Sequence, residues 1–262
     1  MKIFLCTFLL AALPALVAAQ IASQGSYAGS GNLQAEARQI YALANEARAQ
    51  AGAGRLEWDP ALAAAALQHC LLMAQEGPIS HQYPGEPDLS TRTAAAGAHF
   101  SVIEENVAAG PSAEGIHEAW MQSPGHRSNL LNPEVDRVGV AVVAARGVLY
   151  AVADYSRAVE QLSTMQVEAR VAALVRVSGV AILRDSSLAR AACATDEGMP
   201  RTASGPVPRF VMRWQDANLA QLPRALADRL ASGNYRQAAV GSCPAQVAGG
   251  EFSAYRVAVL LY

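Results

Sequence analysis

The stretch from Trp120 to Leu131 reads Trp-Met-Gln-Ser-Pro-Gly-His-Arg-Ser-Asn-Leu-Leu, and it decides the fold. Its first two residues end the range 113–121, for which a helix is predicted. Ser123 before Pro124 is typical of a helix start, with serine as the cap and proline in the first turn. The block therefore predicts a helix followed by a further short turn of helix.

Helices and strands are predicted on both sides of this block. Upstream, apolar residues recur at helical spacing over 36–50, and an Asp-Pro start precedes a second helix over 61–75. Downstream, residues 138–144 and 148–155 are apolar and β-branched, and the Ala-Arg-Gly between them suits a hairpin. Helices that flank antiparallel strands predict an α+β layered fold.

Six fragments follow one another along the first half of the chain. They are Asn45-Glu46-x-Arg48, Leu56-x-Trp58-Asp59-x-x-Leu62, Ser80-His81, Glu105-Asn106-Val107-Ala108-x-Gly110, the block from Trp120 to Leu131, and Val138-Gly139-Val140-Ala141. In this order they resemble the bacterial type of the CAP superfamily, also called the SCP or cysteine-rich secretory protein domain. The resemblance covers residues 36–157, about half of the chain.

This resemblance implies an α-β-α sandwich, secretion, and a central cleft where two histidines and one or two glutamates converge. The two histidines fall on His81 and His126, and the acid falls on Glu105. The family's eukaryotic members have a further glutamate three residues after the tryptophan, and Ser123 stands there in this chain. The ligand-binding cleft implied by the resemblance therefore comprises His81, Glu105, His126 and Ser123.

Two imidazoles and a carboxylate form a donor set that holds Zn²⁺ or a similar divalent ion and leaves positions for water. His81, Glu105 and His126 are thus the predicted ligands of a divalent metal. This prediction depends on the resemblance, because the spacing of the three residues contains no local ligand motif. In the alternative, hydrogen bonds to Glu105 and to backbone carbonyls hold both histidines without an ion.

The preferred function is non-enzymatic binding of an extracellular ligand or protein partner, and no catalytic residue is assigned. A metal-assisted hydrolase that acts on peptides or cell-envelope material is the alternative. Ser80 and Ser123 are its candidate nucleophiles, but neither has a Gly-x-Ser-x-Gly context. Lipid or sterol binding, which occurs in other family members, is the third reading, although the sequence shows no lipid cavity.

Other aromatic and imidazole side chains are predicted to have structural roles. His69, His99 and His117 match no family position and are expected at the surface or in packing, not as ligands. Trp58 and Trp120 are expected to anchor the core.

The amino-terminal residues 1–19 have the layout of a cleaved secretory signal, with one lysine, an apolar run and a small-residue end. Residues 20–35 are predicted to be a flexible lead-in, because their first part is rich in Ser, Gly and Ala. No later run approaches the roughly 20 apolar residues of a spanning helix. A secreted or periplasmic protein without stable membrane insertion is therefore expected. A net charge of −2 without a basic patch disfavours a nucleic-acid partner.

Three cysteines remain after signal cleavage. Cys193 and Cys243 are predicted to form a disulfide, because both lie in the same C-terminal region beside turns. Cys70 is predicted to be a small buried thiol, with an intermolecular bridge as the alternative.

Residues 160–262 are predicted to form a smaller α+β domain. Helices are expected over 160–177, 185–194 and 222–231, and strands over 209–215 and 255–262. Within this half, Ile182 to Ala192 lines up with Leu56 to Ala66 at a constant offset of 126 residues. This similarity suggests a degenerate CAP-like repeat with an accessory or partner-binding role. The alternative is that both segments share only a common type of helix start.

Overall fold

The computed structural model describes residues 21–200, 206–246 and 252–262, and the predicted signal segment lies outside these ranges. The helices are α1 (Ile21–Gln50), α2 (Pro60–Glu76), α3 (Leu89–Ala95), α4 (Ala113–Gln122), α5 (Pro124–Leu131), α6 (Thr164–Arg176), α7 (Ser187–Cys193) and α8 (Arg224–Ala231). The strands are β1 (Glu57–Trp58), β2 (Phe100–Gly110), β3 (Arg137–Ala145), β4 (Val148–Ala158), β5 (Ala181–Ile182), β6 (Phe210–Asp216), β7 (Gln237–Cys243) and β8 (Tyr255–Leu261). The chain is therefore an α+β protein, as predicted. Over these ranges, no helix has both the length and the apolar character that crossing a bilayer requires.

A four-stranded sheet organises the first half, with the strand order β1-β3-β4-β2. Strand β1 runs parallel to β3, whereas β3 and β2 both pair antiparallel with β4. Strand β2 therefore forms one edge of the sheet. Its register places Glu105 directly opposite Asp154 of β4.

Helices cover both faces of this sheet, because side chains alternate between the two faces of each strand. One face packs on α2 in a core of Ala66, Cys70, Met73, Val107, Ala141, Tyr150 and Val152. The opposite face packs on α1, α4 and α5 in a core that includes Ile40, Ala44, Trp120, Leu130, Val140, Val142 and Ala153. These layers form an α-β-α sandwich, and Trp120 anchors the core as expected.

Helix α2 shows how the sequence sets its own boundaries. The carboxylate of Asp59 accepts hydrogen bonds from the backbone N–H groups of Ala61 and Leu62 at 2.7 and 3.1 Å. Pro60 follows at the first helical position, where no N–H is needed. Gly77 ends the helix with a φ of +104°, a backbone conformation that residues with a Cβ rarely adopt.

Four elements of the first half differ from the sequence-based expectation. Helix α1 begins at Ile21, so the expected flexible lead-in over 20–35 is wrong for residues 21–35. Once a helix exists, each further residue adds a hydrogen bond without a new nucleation cost. Helix α3 and strands β1 and β2 were not predicted. Strand β2 carries Glu104, Glu105 and Asn106 at its centre, where an apolar run would have indicated a strand.

A second four-stranded sheet organises the second half, and its order β5-β7-β8-β6 repeats the pattern of the first. Strand β5 runs parallel to β7, and β7 and β6 pair antiparallel with β8. The three predicted helices of this half are present as α6, α7 and α8, and the two predicted strands as β6 and β8. Strands β5 and β7 were not predicted.

A glycine makes the same type of contact in both sheets. A Cβ on Gly139 of β3 would lie 2.0 Å from the backbone nitrogen of Ala63 in α2. A Cβ on Gly241 of β7 would lie 2.2 Å from the backbone nitrogen of Arg190 in α7. Each strand can approach its helix this closely only because glycine lacks a side chain.

The predictions for the cysteines are confirmed. Cys193 and Cys243 form a disulfide with a Cα–Cα distance of 5.8 Å. Cys70 is free and fully buried, and its thiol donates to the Tyr150 carbonyl at 3.1 Å. Burial raises the pKa of Cys70 to about 12, so its thiol stays protonated and unreactive at neutral pH.

Removing the disulfide with a Cys193→Ala/Cys243→Ala variant should lower the free energy of unfolding by about 2–4 kcal/mol. The bond joins residues 50 positions apart, so its loss increases the conformational freedom of the unfolded chain. Chemical denaturation measures the change. A thiol reductant should reproduce the loss in the wild type and leave the variant unaffected. Equal stability of the two proteins under oxidising conditions would contradict the prediction.

Candidate functional site

The edge strand β2 carries the candidate site and is held in place by the sequence block that follows it. The indole nitrogen of Trp120 in α4 donates to the Val107 carbonyl at 3.2 Å. The side-chain amide of Asn129 in α5 donates to the Glu105 carbonyl at 3.1 Å. The block from Trp120 to Leu131 thus holds two helices to β2 through the backbone carbonyls of Val107 and Glu105.

Glu105 is the centre of the site. One carboxylate oxygen lies 2.8 Å from Nδ1 of His81, and the other accepts a hydrogen bond from the Arg92 guanidinium. The side chains of Glu105 and Arg92 are almost completely buried, whereas the His81 side chain is 62% exposed. A buried ion pair therefore supports a histidine at the surface.

Arg92 reaches Glu105 from α3, which begins at a well-defined cap. The Asp88 carboxylate accepts from the backbone N–H of Thr91 at 2.8 Å and so starts the helix. A second guanidinium nitrogen of Arg92 lies 3.4 Å from the His81 carbonyl oxygen. Arg92 therefore contacts both the acid and the loop that carries His81.

Asp154 on β4 adds a second buried acid beside Glu105. It is completely buried, and among the described residues no N–H or hydroxyl group donates to either of its carboxyl oxygens. Burial, and next the negative charge of Glu105, raise the pKa of Asp154 well above its ordinary value. The protonated form of Asp154 fits this place, because it can donate to Glu105, whereas two adjacent carboxylates would repel each other.

His69 lies behind the site on α2 and is fully buried. Its Nδ1 lies 2.7 Å from a Glu86 carboxylate oxygen, and its Nε2 lies 2.8 Å from the Ser80 carbonyl oxygen. The same Nε2 is 3.9 Å from the Glu105 carboxylate. Because His69 is buried, the predicted packing role is correct and the alternative surface position is wrong. Its polar partners place it next to the cleft.

His126 lies in the first turn of α5. Its carbonyl oxygen accepts from the Asn106 side chain at 2.9 Å, which ties this turn to the strand. Burial lowers the pKa of His126, and the positive charge of a protonated His81 lowers it further. The imidazole of His126 is therefore biased toward its neutral form. By contrast, the hydrogen bond to Glu105 raises the pKa of His81.

The two candidate nucleophiles do not form nucleophile–base pairs. The Ser80 hydroxyl donates to the Gln82 carbonyl at 2.7 Å. Ser123 occupies the N-cap position of α5, but its side chain makes no capping hydrogen bond. Within the described ranges, no hydrogen bond joins either hydroxyl to His81 or His126.

The predicted metal ligands already have hydrogen-bond partners in this arrangement. No group of three or more His, Cys, Asp or Glu side chains among the described residues is arranged to hold a metal ion. Glu105 already uses one oxygen for His81 and the other for Arg92, which is a permanent cation. An ion at Glu105 would have to share these oxygens with His81 and Arg92. The metal at His81, Glu105 and His126 remains an untested prediction.

Comparisons with known proteins agree with this fold. A model of the cysteine-rich secretory protein family, CAP, matches residues 41–155. These residues are a CAP domain. The match lies within the predicted range 36–157 and contains His81, Glu105 and His126, together with Arg92 and Asp154.

Among curated proteins, the chain is 34% identical over 109 residues to the uncharacterized membrane protein YlbC of Bacillus subtilis, covering 40% of this chain and 31% of YlbC. It is 29% identical over 113 residues to the uncharacterized protein YkwD of the same species, covering 43% of this chain and 44% of YkwD. The chain therefore spans less than half of the length of both relatives.

Solved structures with CAP-type domains also match. An extracellular SCP-domain protein of Bacillus anthracis has 28% identity and a TM-score of 0.45, covering 47% of this chain and 41% of that chain. A cysteine-rich secretory protein of Staphylococcus aureus has 22% identity and a TM-score of 0.40, covering 47% of this chain and 39% of that chain.

Three residues of the CAP-domain site were not expected from the sequence: Arg92, Asp154 and His69. Arg92 and Asp154 lie outside the fragments that carry the family resemblance, and their meeting with Glu105 depends on the register of β2 and on the position of α3. For His69, the helical spacing in the sequence predicts a buried position. It lies four residues before Met73 and seven after Leu62, both core residues of α2, and so falls on the buried face of the helix.

Proposed function

We propose that this chain is an exported CAP-domain protein that binds a ligand or partner between His81 and His126 without catalysing a reaction. One observation carries the proposal. Glu105 holds the Nδ1 side of His81 at 2.8 Å, yet most of the imidazole is exposed. The ring is therefore fixed in orientation while its Nε2 remains available to a molecule from solution.

The charges around His81 indicate the ligand chemistry. Arg92 and Glu105 neutralise each other behind the imidazole, and a protonated Asp154 adds no charge. His81 holds its proton more strongly than an ordinary histidine, so it can present a positive N–H group to the ligand. A ligand with a carboxylate or phosphate oxygen fits this donor, with neutral His126 as a second contact.

Export is part of the proposal and has two supports. The first is the amino-acid order of residues 1–19, which is typical of a secretory signal. The second is the Cys193–Cys243 disulfide, a bond that persists in oxidising compartments. The proposed location is the periplasm or the cell exterior.

Titration of the ¹⁵N-histidine-labelled protein with sodium acetate and with inorganic phosphate tests the binding site. Saturable shifts of the His81 and His126 ring signals are expected with at least one of these anions. Loss of a charge-assisted hydrogen bond in His81→Gln should weaken binding about tenfold or more. His99→Gln is the matched control. His99 is also an exposed histidine, but its Nδ1 lies 3.3 Å from the Ser253 hydroxyl and not from Glu105.

Three outcomes would overturn the proposal. Non-saturable shifts that are equal in wild type and His81→Gln would show that the anions do not bind at this site. Tight, stoichiometric Zn²⁺ binding that requires both His81 and His126, without anion binding, would establish the metal site instead. Turnover of a peptide substrate that is lost in His81→Gln would establish a hydrolase.

The second half of the chain is proposed to be a degenerate copy of the CAP domain. Its support is the repeated strand order and the equivalent glycine contacts of Gly139 and Gly241. The repeat also predicts which residues occupy the position of the site. In the first sheet Gly139 faces Asp154, and Asp154 faces Glu105.

The corresponding residue pairs of the second sheet have different side chains. Gly241 faces Ala258, and Ala258 faces Arg213. Arg213 thus stands at the position of Glu105, and its Nε donates to the Ala192 carbonyl near the end of α7 at 2.6 Å. An arginine that binds a helix terminus replaces the acid pair, which supports an accessory role for this half.

A further inference from the structure

His69 is a buried histidine whose two ring nitrogens are both engaged. Nδ1 lies 2.7 Å from Glu86, and Nε2 lies 2.8 Å from the Ser80 carbonyl oxygen. The side chain has no exposed surface. An imidazole that is buried and bonded on both sides has a fixed orientation.

The two partners of His69 flank His81 in the sequence. Ser80 directly precedes His81, and Glu86 follows five residues later. The second Glu86 carboxylate oxygen accepts from the backbone N–H of Tyr83 at 3.0 Å, so the intervening chain folds back on the same acid. Residues 80–86 contain no helix or strand. Their conformation is therefore held by these side-chain hydrogen bonds together with the turn bond from the Glu86 N–H to the Tyr83 carbonyl at 3.0 Å.

The hydrogen-bond partners also determine that Nε2 of His69 carries a proton. A carbonyl oxygen can only accept, so Nε2 of His69 donates to Ser80. Nδ1 faces the Glu86 carboxyl group at 2.7 Å. The distance of 3.9 Å between Nε2 and the Glu105 carboxylate places His69 against the acid that holds His81. His69 thus contacts both the loop that carries His81 and the group that orients it.

We infer that His69 is a positioning residue of the CAP-domain cleft, which holds the 80–86 loop so that Nδ1 of His81 reaches Glu105 and Nε2 remains for the ligand. His69 itself is buried and does not touch the ligand. The part of this inference that concerns ligand affinity rests on the proposed binding function. The orientation of His81 can be measured without any ligand.

The variants His69→Asn and His69→Gln separate positioning from simple loss of stability. Asparagine carries its amide near the place of Nδ1, so it can bond Glu86 but does not reach Ser80. Glutamine extends to the place of Nε2 and can donate to the Ser80 carbonyl. We therefore expect His69→Asn to release the start of the loop and His69→Gln to retain it.

Nitrogen-15 NMR of the His81 ring, at a pH above the pKa of His81, provides the readout. Wild-type His81 should carry its proton on Nδ1, because Glu105 accepts from that nitrogen. In His69→Asn the proton should move largely to Nε2, the site that an unrestrained imidazole prefers. In His69→Gln the wild-type signature should return. Affinity for acetate or phosphate should fall about tenfold in His69→Asn.

Cys70→Ala is the matched control, because Cys70 is buried next to His69 in α2 but bonds to Tyr150 and not to the loop. It should lower stability and leave the His81 proton on Nδ1. An unchanged His81 signature in both His69 variants would overturn the inference. If the signature changes as expected but no anion binds to any variant, the positioning role holds and the proposed binding function fails.

Discussion

Replacing Arg92 by methionine is expected to lower the free energy of unfolding by about 3–5 kcal/mol. Arg92 and Glu105 form an ion pair from which water is almost completely excluded. Methionine preserves most of the side-chain volume but removes the positive charge, so the Glu105 carboxylate remains buried without its cation beside the second acid, Asp154. Urea denaturation at neutral pH measures the loss.

A double variant tests the physical reason for this loss. Arg92→Met/Glu105→Gln removes both charges, so it should recover a substantial part of the stability that Arg92→Met loses. The exposed pair Arg170–Glu160 is the matched control, and Arg170→Met should change stability by less than about 1 kcal/mol. If Arg92→Met costs no more than this control, Glu105 does not depend on Arg92.

Placing a methyl group on Gly139 should be at least as damaging. In Gly139→Ala the new Cβ would lie 2.0 Å from a backbone nitrogen of α2, so strand and helix would have to separate. A loss of about 4 kcal/mol or more is expected, because backbone atoms cannot move aside as the end of a flexible side chain can. Gly241→Ala should cause a similar loss in the second sheet, where the Cβ would lie 2.2 Å from Arg190.

Gly54→Ala is the control for both glycine variants, because nothing lies within 4 Å of a Cβ at that position. Its effect should stay within about 0.5 kcal/mol. Thermal and urea unfolding of the three variants give the comparison. A Gly241→Ala protein as stable as Gly54→Ala would show that the helix contacts of the two sheets are not equivalent.

The sequence predicted those parts of the fold whose signals are local. Asp59-Pro60 predicted the start of α2, and the two β-branched runs predicted the β3–β4 hairpin, which is present as two adjacent antiparallel strands. The disulfide between Cys193 and Cys243 was predicted from their shared region and is confirmed. Each of these features depends on residues that lie near one another in the chain or in one half of it.

The site was only partly predictable, because its members meet through tertiary register. Glu105 and Asp154 are 49 positions apart in sequence and become neighbours only when β2 pairs with β4. Strand β2 was also not predicted, because its centre is polar. A strand that carries a buried acid lacks the apolar alternation by which strands are recognised. The family resemblance identified His81 and Glu105, but not the arginine that occupies the other side of the acid.

The donors that α4 and α5 supply to the edge of β2 also affect how molecules of this protein meet one another. An open strand edge is a template on which a second chain can add a strand. Trp120 and Asn129 occupy the carbonyls of Val107 and Glu105, so part of this edge is closed to such pairing. Damage to the Trp120–Leu131 block would therefore do more than disturb the cleft, because it would expose a surface prone to aggregation.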